Sequence, residues 1–85
     1  MLLHLGNGVS VPKKNVIAIF DIERSSTSRI TREYLSLAGK SGWVIYCSDD
    51  MPKSFVVALD EELSERVYIS PLSPAVLRDR MKAQL

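Results

Sequence analysis

Val16-Ile17-Ala18-Ile19-Phe20 is an unbroken run of β-branched, aromatic and small apolar residues, with polar residues on either side. A short continuous apolar run bounded in this way predicts a strand buried on both faces, here the principal core element. On its N-terminal side Pro12 breaks the preceding pattern, and Lys13-Lys14-Asn15 makes a polar corner stiffened by the fixed φ of that proline. Before it, Val9-Ser10-Val11 alternates, Gly6-Asn7-Gly8 signals a tight turn, and Leu2 to Leu5 supplies the other arm of a hairpin. The two glycines do not make a phosphate cradle, because strand rather than helix follows them.

On the C-terminal side, Glu23 to Ser28 is polar and rich in Ser and Thr, which predicts a loop ending in a helix N-cap. Ile30, Tyr34, Leu37 and Ala38 then recur at helical period, with Gly39 as the expected C-cap. Arg29, Arg32 and Glu33 lie off that stripe. Trp43–Tyr46, Ser54–Leu59 and Val67–Ile69 read as strands, the last two joined by an acidic connection over Asp60–Glu65. Ser73-Pro74 is a helix start, a capping hydroxyl followed by proline at the first helical position. Leu77 and Met81 lie on the inner side of that helix. The order β-β-β-α-β-β-β-α, with hairpin-length links in its second half, predicts an α+β fold: a small, mainly antiparallel sheet with two helices. Residues 1–85 read as one domain.

Composition narrows the function. Hydrophobic residues make up 46% of the 85, enough for a core and too many for a disordered chain. A domain of this size buries only about 60–65% of its unfolded surface, so self-association is an expected supplement. Eleven basic and ten acidic residues leave a net charge of +1. Binding to nucleic acid must then rest on local clustering of charge rather than on a uniformly basic surface. Cys47 is the single cysteine, so no internal disulfide can form and no thiolate zinc site is in view. No signal-peptide pattern and no apolar run of roughly 18 residues occurs, which predicts a cytoplasmic protein without membrane partners.

Nothing in the sequence assembles catalytic chemistry. His4 has no neighbour to orient it as a base and no further ligands at metal-binding spacing. Cys47 precedes Asp49 and Asp50, acids that raise rather than lower a thiol pKa. Asp60, Glu61, Glu62 and Glu65 lack the alternating ligands and turn glycine of a calcium loop, and read as a solvated turn. The expectation is a protein that is not an enzyme and has no metal, cofactor or small-molecule substrate. The basic residues form separate small sets: Lys13 and Lys14, Lys53 after Pro52, Arg29 and Arg32 on the first helix, and Arg78, Arg80 and Lys82 on the second.

Taken together, His4-Leu5-Gly6-Asn7, Val16–Asp21, Thr31–Leu35, Pro52–Val57 and Tyr68–Ser73 resemble the RemA/RemB family of small bacterial regulators of extracellular-matrix and biofilm genes. The closer likeness is to its RemB branch. The resemblance implies a DNA-binding transcriptional regulator whose subunits assemble into a homo-oligomer, a ring in that family. Repetition of a weak footprint around such an assembly raises its effective affinity. The RemA branch carries arginines just before the buried strand and ahead of the later valine-rich strand. Here those places read Lys13-Lys14-Asn15 and Met51-Pro52-Lys53, and lysine lacks the planar fork with which arginine reads guanine or phosphate. Backbone contacts through Lys13, Lys14 and Lys53 are therefore expected, with Arg29 secondary and Arg78 and Arg80 less involved. The alternative is a protein-interaction or scaffold subunit that does not touch DNA.

Overall fold

The most deeply buried strand is not the run that opens the domain's core pattern. In the computed structural model, which describes residues 1–25 and 28–83, Ser54 through Ala58 are all buried within strand Ser54–Leu59. The elements are β1 (Leu2–Gly6), β2 (Val9–Pro12), a 3-10 turn (Lys13–Asn15), β3 (Val16–Asp21), α1 (Ile22–Ser25), α2 (Arg29–Lys40), β4 (Val44–Tyr46), β5 (Ser54–Leu59), β6 (Glu65–Ser70) and α3 (Pro74–Lys82). This is the expected α+β class, with a single-turn helix α1 added to the two longer ones. Part of the loop expected over Glu23–Ser28 is that turn of helix, and residues 26–27 lie outside the described ones.

A four-stranded sheet has the order β3-β5-β6-β4, and β1–β2 forms a separate hairpin. The β3–β5 and β5–β6 pairs are antiparallel, while β4 joins β6 in parallel. The expectation that Val16–Phe20 is buried on both faces is corrected here. β3 is an edge strand, with Ile17 58% and Phe20 37% exposed. Composition reports that a strand wants apolar neighbours, and it does not report which strand the chain places in the middle.

Alternation along β5 divides the core in two. Val56 and Ala58 face Leu3, Leu5, Val11 and Leu77, so the hairpin and α3 cover that side. Phe55 and Val57 face Ala38, Tyr34 and Leu35, so α2 covers the other. Ser70 ties the hairpin to the sheet, its buried hydroxyl donating to the Leu5 carbonyl at 2.6 Å. The hairpin turn places Asn7 and Gly8 at φ 49° and 81°, as a two-residue turn of the primed type requires.

Both longer helices start where the sequence places their caps. The Ser28 hydroxyl accepts from the Thr31 N–H, and that of Ser73 from the Val76 N–H at 3.2 Å, with Pro74 in the first turn. The end of α2 lies beyond the expected Gly39. Gly42, at φ 75°, follows the Ser41 cap, and the Gly42 and Trp43 N–H groups bond back to the Gly39 and Ala38 carbonyls. That is a Schellman closure. The α2 stripe is also rotated: Tyr34, Leu35 and Ala38 face the sheet, while Ile30 and Leu37 are exposed. Among the described residues, no helix is long and apolar enough to cross a membrane.

Candidate nucleic-acid interface

The polar corner after β2 is set by its own chain chemistry. Pro12, at φ −60°, precedes the 3-10 turn Lys13–Asn15, and the Lys13 N–H bonds to the Met1 carbonyl at 2.9 Å. This backbone anchoring directs the Lys13 side chain toward the end of α3, where Nζ donates to the Ala83 carbonyl at 2.6 Å. Carbonyls at a helix C-terminus carry partial negative charge, so a cation is favoured there. Arg80, in the last turn of α3, donates from Nη1 to the His4 carbonyl at 3.3 Å. Leu2, His4, Lys13, Arg80 and Ala83 together line one recess of about 210 Å³. Lys14 follows Lys13 in the same turn, and Lys82 is exposed on α3.

Lys53 sits elsewhere. It is exposed after Pro52 and lines a depression with Asp21, Glu23, Ser73 and Pro74, at the N-terminal end of α3. Its backbone is held by bonds from its own N–H to the Ser70 carbonyl and from the Ile22 N–H to its carbonyl. The nine residues of α3 separate it from Lys13, a length of about 13 Å at 1.5 Å per residue. Arg29 lies on α2, across the sheet from α3, and pairs with Glu33 at 3.0 Å with both side chains well exposed. The structure thus brings Lys13 and Arg80 together, with Lys14 next in the turn but not lining their recess, and leaves Lys53 and Arg29 apart from them. Sequence reasoning set Arg80 aside. The available sign was its position three residues after the core residue Leu77, which puts it on the flank of α3, but only docking against β1 gives it a neighbour.

The other candidates separate cleanly. His4 is exposed on the hairpin, and it is its carbonyl rather than its ring that holds Arg80. Cys47 is buried, and burial pushes its thiol up to about 11. Its flanking acids are not the cause expected from sequence. The acidic connection is less uniformly solvated than it reads. Asp60 accepts from the Glu62 and Ser64 N–H groups and pairs with Arg66 at 3.3 Å. The Ser64 N–H first, then that of Glu62 and the Arg66 charge, hold its carboxyl below the usual range. Glu65 belongs to β6 and accepts the Tyr34 hydroxyl, whereas Glu61 and Glu62 are exposed.

The sequence profile of a family described as extracellular matrix regulatory protein A-like, RemA-like, matches residues 2–81. Extracellular matrix regulatory protein B of Bacillus subtilis (strain 168) is 31% identical over 80 residues, covering 94% of this chain and 89% of that protein.

Proposed function

The chain belongs to the RemA-like family of extracellular matrix regulatory proteins, and we propose that it acts as an oligomeric, DNA-binding transcriptional regulator of matrix genes. The observation that carries this reading is the meeting of Lys13 and Arg80, distant in sequence, with Lys14 next to Lys13 in the same turn. Two cations of a nearly neutral chain thereby share one recess, which supports a local phosphate contact. Lysine Nζ groups contact phosphates as point charges, which positions a protein on a duplex without reading its sequence. Lys53, at the far end of α3, extends the footprint along the backbone. Assembly of several copies multiplies the small footprint, because each bound patch raises the effective concentration of the next. A cytoplasmic location follows from this role, as does the lack of any need for a cofactor.

A scaffold subunit without DNA contact is the second reading, favoured by the exposed apolar residues of β3 and α2. Electrophoretic mobility shift with unrelated duplexes across a salt series separates the two. A phosphate-binding assembly loses affinity steeply as salt rises, by counterion release. Undetectable binding at low salt by a chain that still assembles would leave the scaffold role.

A further inference from the structure

We infer that His4 is a third phosphate-contacting residue of the Lys13–Arg80 recess, and that DNA binding there is coupled to uptake of a proton by its ring. This deepens the DNA-binding reading above and rests on it. Along β1 the side chains alternate: Leu3 and Leu5 turn into the core, and Leu2 and His4 lie on the outer face. His4 comes from β1, Lys13 from the turn after β2 and Arg80 from α3, yet all three line one hollow of about 210 Å³ with Leu2 and Ala83. That volume is several times the about 30 Å³ share of a water molecule, so a phosphate group fits. No acidic residue among the described ones lines it. Main-chain carbonyls hold the two cations in place, that of Ala83 for Lys13 Nζ and that of His4 for Arg80 Nη1. An ammonium has three donors and a guanidinium five, so both keep donors for an incoming anion. The Arg80 bond to the His4 backbone also sets the guanidinium beside the residue that carries the imidazole.

Histidine is the side chain that changes charge between about pH 5 and 8, and this chain has one. Lysine and arginine stay charged throughout that range. The charged groups lining the recess with His4 are Lys13 from the turn and Arg80 from α3, while uncharged Ser10 stands opposite it on β2. Asp79 and Lys82 of α3 do not line it. An α-amino group also titrates near neutrality, and that of Met1 lies three residues earlier in the chain. A phosphate seated among the three side chains puts negative charge beside the imidazole and favours its protonated form. Binding then takes up a proton from solvent. Affinity is highest where the ring is charged and declines as pH rises through the imidazole range.

Duplex binding by the full chain and by His4→Gln, measured by fluorescence anisotropy at about pH 5.5 and 8, tests this. Glutamine keeps a hydrogen-bonding side chain and cannot gain a charge, and the position is exposed. The parent should bind about two- to fivefold more tightly at the lower pH, the scale of an exposed ion pair. Its salt slope there should be steeper by about 0.9 for each recess in contact. His4→Gln should lose that gain and match the parent at the higher pH. The single histidine also gives one Cε1–H resonance, whose titration midpoint should move to higher pH when duplex is added. Inorganic phosphate at the same phosphate concentration should leave it in place, since no neighbouring contacts hold a lone phosphate in the recess. A gain retained in His4→Gln assigns the proton to the Met1 amino group or elsewhere. That outcome, or a midpoint that duplex does not move, overturns the role of His4 while DNA binding stands. Equal movement with inorganic phosphate would make the recess a free-phosphate site and overturn the proton link to DNA. Absence of duplex binding by the parent at both pH values overturns the DNA reading and this one together.

Discussion

Lys13 donates from Nζ to the main-chain carbonyl of Ala83 at 2.6 Å, joining residues 70 apart in sequence. That bond holds the polar corner after β2 against the end of α3 and gives Lys13 and Arg80 a common recess.

The double change Lys13→Glu and Lys14→Glu should weaken binding to unrelated duplexes about equally, because phosphate contacts carry no base information. Removing one lysine–phosphate pairing should flatten the plot of log affinity against log salt by about 0.9. Arg80→Glu should act in the same direction, since Arg80 shares the recess with Lys13. The assembled mass must be unchanged in each variant, otherwise a fall in avidity would mimic the removal of a phosphate pairing. Parent-like binding by the assembled double mutant would remove these lysines from the interface.

Ser70→Ala should destabilise the fold by about 1–3 kcal/mol. The buried hydroxyl donates to the Leu5 carbonyl and accepts from the Leu72 N–H at 3.1 Å, so its removal strands two main-chain groups. Urea unfolding checks this. An unshifted midpoint would mean that the hairpin does not need this tie.

Ser73→Ala should cost about 1 kcal/mol through the orphaned Val76 N–H at the start of α3. A thermal melt that superimposes on the parent's would show that Pro74 alone suffices to start the helix.

Alkaline pH should loosen the domain through the half-buried Tyr34 hydroxyl and the buried Cys47 thiol. Burial, with help from the Glu65 hydrogen bond and charge, pushes the Tyr34 hydroxyl up to about 12, and burial pushes the Cys47 thiol up to about 11. Both groups are held neutral in the folded chain and ionise more readily once unfolded, from ordinary values of about 10 and 8.5. Their stabilising contribution is therefore complete below those ordinary values when the groups are neutral in both states. It falls as pH rises through the folded-state values. Urea midpoints measured from neutral pH upward should decline in that window, less steeply in Tyr34→Phe. A flat profile to the highest pH would refute the assignment.

Local chemistry carried much of this fold in the sequence. Gly6-Asn7-Gly8 demands a hairpin because Asn7 and Gly8 tolerate positive φ. Ser28 and Ser73 start helices because their hydroxyls reach N–H groups three residues ahead. Such devices act within a few residues, so they read the same before and after folding. Position within the sheet does not. Val16–Phe20 and Ser54–Leu59 are both apolar runs, yet the first is an edge and the second a centre, because flanking strands come from distant segments. Ile30 and Leu37 share the period of Ala38 but overhang the sheet, since its width decides how much of α2 is covered. An apolar residue looks alike in sequence whether its own chain or another copy covers it. The basic residues followed the same division: sequence by itself identified Lys13, Lys14 and Lys53 as cations at proline-stiffened corners. Only the docking of α3 on the hairpin decided that Lys13 joins Arg80 and that Lys53 stands a helix length away. The physical reason is that charges converge through long-range packing, which no local spacing encodes.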